Sequence, residues 1–166
     1  MAPLAHLASR FFGSLLPIGP GRDDAAWALE HLTAREQTVW FRMSKVDRRH
    51  AAGVARRAAQ ALGREATTEV VAAALLHDAG KVESGLGTMA RVVATLAASA
   101  VGREKAESWS TGRGLAGRIG LYLRHPQLGT ALLSSAGSHP LTVAWAGEHH
   151  LPEAQWTVPA GVGRAR

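Results

Sequence analysis

His77 and Asp78 stand side by side at the end of an unbroken apolar run, residues 70–76. An imidazole and a carboxylate closing a buried helix are costly unless they have partners. Together they suit a divalent ion such as Mn²⁺, Fe²⁺, Zn²⁺ or Mg²⁺, and the two oxygens of Asp78 allow it to bridge two of them. One or two such ions are the expected cofactor. His50 falls on the inner face of the preceding helix, so an antiparallel hairpin would set it beside His77. His125, His149 and His150 arrive from later helices. Neighbours on a helix point about 100° apart, so one of His149 and His150 is expected to ligate and the other to contact substrate or support a ligand. His139 precedes Pro140 and reads as a helix cap, while His6 and His31 read as surface residues.

These side chains need helices to carry them. The chain has 166 residues, enough for one domain with its own core. Alanine dominates and aromatics make up only 5%, a mix that favours helix over strand. The absence of cysteine excludes disulfides, thiolate metal sites and cysteine nucleophiles. Neither strand alternation nor an internal repeat is visible. The expected fold is an all-α single-domain bundle of roughly seven to nine short helices. Residues 1–22 read as a flexible leader, ending in the breakers Pro17, Gly19, Pro20 and Gly21; 23–160 read as the helical domain and 161–166 as a short tail.

Helix starts are marked at Asp23-Asp24, at Thr33 with Glu36 three residues on, at Ser44 or Asp47, and at Thr67 or Thr68. The last of these predicts a helix over 69–79 with Gly80 at its end. A further apolar helix is expected over 88–101. The polar, glycine-containing stretch 102–114 reads as a loop, followed by a helix over 115–123. His125-Pro126 and His139-Pro140 open two more helices.

The net charge is +6 and nearly all of it is arginine. A basic surface favours anionic partners, but these arginines are spread along the chain. A nucleic-acid partner is therefore not favoured. The apolar stretch 11–18 is short and broken, unlike a secretory signal. The run 70–76 is too short to span a bilayer. The expectation is a cytoplasmic protein without membrane contact. Nothing in the pattern indicates an oligomeric state.

The order of these motifs carries a resemblance. His50, then Leu76-His77-Asp78-Ala79-Gly80-Lys81, resembles the HD-domain superfamily of metal-dependent phosphohydrolases. His125-Pro126-Gln127-Leu128-Gly129 and the paired His149-His150 are similar to its HD-GYP and HDOD branches. The likeness covers about residues 45–152. It implies that His50, His77 and Asp78 are metal ligands and that His125, His149 and His150 hold a second ion. It also implies that Lys81 contacts substrate phosphate. Arg124, beside His125, is a second candidate for that contact. A divalent ion activates water and clamps a phosphoryl group, and Lys81 supplies a point charge. The implied activity is hydrolysis of a small phosphorylated substrate, a phosphomonoester or phosphodiester, with a nucleotide favoured.

Three departures from that pattern stand out. Superfamily members usually supply a further aspartate after these histidines, and no Asp follows Asp78 here. Glu148 or Glu153 is a possible substitute ligand. The Gly-Tyr-Pro signature is absent after His150, so cyclic-di-GMP hydrolysis is not implied. Val46 stands where a glutamate accompanies a third ion in some relatives, so at most two ions are expected. The missing aspartate motivates the alternative, a catalytically degenerate signalling or scaffold protein on the same fold.

Overall fold

In the computed structural model, residues 18–158 are described. Most of the expected leader and all of the expected tail lie outside them. Nine α-helices and no strand occur among the described residues. The helices are α1 (Arg22–Glu30), α2 (Ala34–Arg42), α3 (Lys45–Leu62), α4 (Thr68–Leu76), α5 (Thr88–Val101), α6 (Arg103–Ser108), α7 (Gly114–Leu123), α8 (His125–Ala136) and α9 (Pro140–Glu148). The all-α fold expected from composition and periodicity is what forms. No single helix among the described residues is long and apolar enough to cross a membrane.

α4 is the central helix. Every residue from Val70 to Leu76 is buried, so it has no solvent face and needs neighbours all round. α3 supplies one wall through Ala51, Ala52, Ala55 and Ala58, whose small side chains let the two backbones approach. Trp40 of α2, Leu133 of α8 and Ala146 of α9 complete that core. A separate cluster of Leu86, Ala94, Ala106, Ile119 and Leu123 joins α5, α6 and α7. A buried ion pair ties α5 to α3, with Arg91 Nη1 lying 2.6 and 2.8 Å from the two oxygens of Asp47.

The caps follow sequence closely. Thr33 and Glu36 form a complete capping box on α2. The Ser44 hydroxyl accepts from the Asp47 N–H and starts α3. Gly63 ends that helix at φ 54°, a conformation costly for other residues. His139 Nδ1 accepts from the Leu141 N–H, the capping role expected of it. At α1 the expected start at Asp23-Asp24 is not the cap: the helix begins at Arg22 with Gly21 as its cap, and Asp23 and Asp24 sit in the first turn, where they complement the helix dipole.

Two further expectations need correction. The stretch expected as a loop over 102–114 contains α6 and a 3₁₀ turn, Trp109–Thr111. Its apolar anchors are Ala106, fully buried in the α5–α7 cluster, and Trp109, half-buried against it, which is too sparse a pattern to read as periodicity. The helix expected over 69–79 ends at Leu76. Asp78 leaves helical geometry at φ −99°, ψ 9°, and Ala79–Ser84 continues as a 3₁₀ segment. Packing explains the early stop. A Cβ on Gly80 would lie 2.0 Å from the His125 carbonyl oxygen and 2.4 Å from the Gly129 nitrogen. The 3₁₀ segment is thus pressed backbone to backbone against the start of α8, a path that a continued α4 would not take.

Candidate metal centre

That seam brings the chemistry together. His77 and Asp78 leave the end of α4, Lys81 follows on the 3₁₀ segment, and His125 opens α8. His149 and His150 follow the last residue of α9, and His50 reaches in from α3. Ligating atoms of Asp78, His125, His149 and His150 lie within 4.8 Å of one another, as do those of His50, His77 and Asp78. Asp78 belongs to both sets and divides its oxygens between them. Oδ2 lies 3.3 Å from His77 Nε2 and 2.6 Å from Lys81 Nζ. Oδ1 lies 3.5 Å from His149 Nε2 and 3.6 Å from His125 Nε2.

The helix ends also fix how the rings face. His77 Nδ1 lies 2.8 Å from the Ala74 carbonyl, His125 Nδ1 2.7 Å from that of Tyr122, and His149 Nδ1 2.9 Å from that of Ala146. A carbonyl oxygen only accepts, so all three Nδ1 atoms carry hydrogen and donate. Nε2 is left pointing inward, the orientation of a histidine prepared for a metal. In each case the acceptor is the carbonyl three residues earlier, a local bond that needs no distant partner.

Charge is divided unevenly. Burial disfavours a carboxylate at Asp78, but His77 and Lys81 outweigh it and hold the group well below its usual range. Burial likewise opposes charge on Lys81 and on His77, and Asp78 reverses both, raising each above its ordinary value. The other histidines of the cluster are shifted toward the neutral form. Burial pushes His125 down to about 3. His150 falls to about 4 through burial and the neighbouring His149. Burial also lowers His149 and His50.

Neutral Nε2 atoms therefore confront each other and a carboxylate. His125 Nε2 and His150 Nε2 are 3.0 Å apart. His149 Nε2 is buried and has no hydrogen-bond partner, with Asp78 Oδ1 3.5 Å away. A buried lone pair facing a carboxylate is uncompensated until a cation lies between them. The cluster can hold a metal ion, and these donors fit one.

The expected site residues are distributed as follows. His50, His77, Asp78, His125, His149 and His150 all join the cluster. His50 is exposed and stands at the rim rather than on an inner face, its ring 5.7 Å from that of His77. His149 and His150 do not diverge as expected. α9 ends at Glu148, and the following turn lets both rings face the cluster, 4.0 Å apart. Arg124 points elsewhere and donates to the Ser110 hydroxyl. Glu148 uses both carboxylate oxygens on Thr157, 2.7 Å from its N–H and 2.5 Å from its hydroxyl. Glu153 lies exposed on a 3₁₀ turn after His150. Neither glutamate is in the ligand sets, which leaves Asp78 as their one carboxylate.

A residue that sequence reasoning passed over is Arg103. It shares with His125 and His150 the wall of a cavity of about 360 Å³. It lay in the stretch read as a loop, so only the helical phase of α6 would have found it. No family model matches this chain, and no curated protein or solved structure matches it either.

Proposed function

We propose that this chain is a metal-dependent phosphohydrolase of the HD superfamily, acting on a phosphomonoester or phosphodiester, with a nucleotide as the favoured substrate. The observation that carries the reading is the convergence of neutral, backbone-oriented imidazoles on a single buried carboxylate with a lysine beside it. His50, His77, Asp78, His125, His149 and His150 would hold one or two ions, with Asp78 shared. A bound divalent ion would supply Lewis acidity toward a phosphoryl oxygen and an activated water.

The chain's own residues supply the rest. Lys81 stays cationic because Asp78 raises its affinity for the proton, so it presents a fixed positive charge to a phosphoryl oxygen. His125 and His149 stay neutral through burial, which keeps their Nε2 lone pairs available at neutral pH. Five imidazoles against one carboxylate weight the site toward Fe²⁺ or Zn²⁺ over the oxygen-preferring Mg²⁺ and Mn²⁺.

Elemental analysis of purified protein, paired with a phosphoester panel in each metal, tests this reading. The expected result is stoichiometric metal and turnover in the wild type, with both lost in Asp78→Ala. Protein that binds no metal and turns over nothing overturns it. Metal without turnover on any ester favours the non-catalytic scaffold, to which the lone carboxylate already points.

A further inference from the structure

The cavity beside the cluster has a composition of its own. Thr95, Ala98 and Ser99 of α5 form one wall, and Arg103, Tyr122 and Leu123 face them across about 360 Å³. His125 and His150 close the end nearest Asp78. A group attached to a phosphate at the cluster would therefore extend into this space. The volume lies at the small end of ligand sites, about 300–1,000 Å³, room for one nucleoside-sized group.

The direction of the hydrogen bonds says what kind of group. Thr95 donates its hydroxyl hydrogen to the Arg91 carbonyl, and Ser99 donates to that of Thr95. Both hydroxyls keep only lone pairs for the cavity. Across from them, Arg103 spends Nε on Glu107 at 2.7 Å and Nη2 on the Leu123 carbonyl at 2.9 Å. Neither bond uses Nη1, which keeps its hydrogens. Acceptors on one wall and donors on the other match a group that has both, such as the hydroxyls of a sugar. Glu107 offsets the arginine's charge, and the lone pairs of Thr95 and Ser99 would repel a second anion. The Tyr122 ring, stacked against His125 at 5.7 Å and 26°, adds aromatic surface to the wall.

We infer that this cavity is the leaving-group subsite, that it takes a neutral, hydroxyl-bearing ring such as a nucleoside, and that Arg103 is its specificity residue. The inference rests on the phosphohydrolase reading, and its test separates the two. Hydrolysis of adenosine 5′-monophosphate is compared with that of glycerol 3-phosphate, whose leaving group is too short to span the cavity. Ala98→Phe fills the space, and Arg103→Gln removes the charge while keeping a donor. Each variant is expected to raise KM for the nucleotide about tenfold, leaving its kcat and both constants for glycerol 3-phosphate within twofold.

Saturation-transfer NMR with adenosine on metal-free protein supplies a readout independent of turnover. Binding to the wild type and its loss in Ala98→Phe is the expected result. Equal effects on the two esters overturn the inference, as does adenosine binding that survives Ala98→Phe. If the wild type hydrolyses neither ester, the metal analysis and the full phosphoester panel decide the phosphohydrolase reading, and the adenosine experiment still decides whether the cavity takes a nucleoside. Arg103 also links α6 to α7, so a variant that loosens this part of the fold would betray itself in the Ala98→Phe comparison, where that link is intact.

Discussion

The part of the molecule built on α3, α4, α8 and α9 and the part built on α5, α6 and α7 are held together differently. In the first, the central helix is buried on every side, and three of the ligand rings are fixed by carbonyls of their own chain segment. In the second, α5 buries only Ala94 and leaves Met89, Val93 and Leu96 at least half exposed. Ligand atoms must be placed within a few tenths of an ångström, which requires rigid support. A leaving-group subsite tolerates more movement, and the cavity proposed for it is walled largely by the more open side of the fold. Under the proposed function, chemistry would sit on the dense half and selectivity on the thin one.

Arg91 is where the halves meet, and removing it should have the largest effect. Arg91→Met leaves Asp47 buried without its direct ion-pair partner. Breaking one side of a buried pair typically costs about 3–5 kcal/mol. Urea melts should show that loss. Hydrogen exchange should speed up in α5, α6 and α7 and stay slow in α4. Equal acceleration throughout would mean that the two parts unfold as one unit and would break the comparison.

Gly80→Ala comes next. The added methyl meets backbone atoms of His125 and Gly129, which cannot swing aside. A cost of about 3 kcal/mol is expected, the upper end of the overpacking range, together with weaker metal uptake as Asp78 and His125 separate. Gly53→Ala on α3 is the control. Its nearest neighbour is the flexible Arg57 side chain at 3.4 Å, so the same change there should stabilise by about 0.5–1 kcal/mol. If the two substitutions shift the melting temperature alike, the seam does not position the site.

Gly80 also shows where sequence reading stops. The histidines, Asp78 and Lys81 were recognisable by type and order, and the caps at Thr33, Ser44 and His139 by local rules, because each depends on residues a few positions away. That Gly80 must be glycine depends on Gly129 and His125, some 45–50 positions on, whose approach no local pattern encodes. Arg124 and Arg103 make the same point. Both were visible as arginines, but only the phases of α6 and α7 decide that Arg103 faces the cavity and Arg124 faces Ser110. Glu148 was a possible substitute ligand by residue type alone, and its carboxylate is instead taken up by Thr157.

Acid should expose the dense half through its histidines. The folded state holds His125 neutral down to about 3, whereas the unfolded chain takes up that proton near 6.5. Between those values the unfolded state binds more protons, so stability falls as pH falls, by up to about 1.4 kcal/mol per pH unit for this one group. His149 and His150 act in the same direction, His150 more weakly because solvent reaches it. His77 acts oppositely. Its raised pKa contributes stability that is complete below 6.5 and is lost as pH rises through the folded value. Metal-free protein should therefore be most stable near pH 6.5. His125→Gln should flatten the acid limb. A limb unchanged by that substitution would place the titration elsewhere.

The smallest effect is expected on the thin half. Leu96 is 64% exposed on α5, so Leu96→Lys removes little buried surface. A surface change of this kind is normally within about 0.5 kcal/mol of neutral. Lysine propagates a helix about as well as leucine, and position 96 is not among the residues lining the cavity. Stability, metal content and nucleotide KM should all stay at wild-type values. The same substitution at Leu75, fully buried in α4, should abolish folding. A marked loss at Leu96 would mean that the exposed face of α5 is covered in solution, and the contrast between a dense and a thin half would then belong to the isolated chain alone.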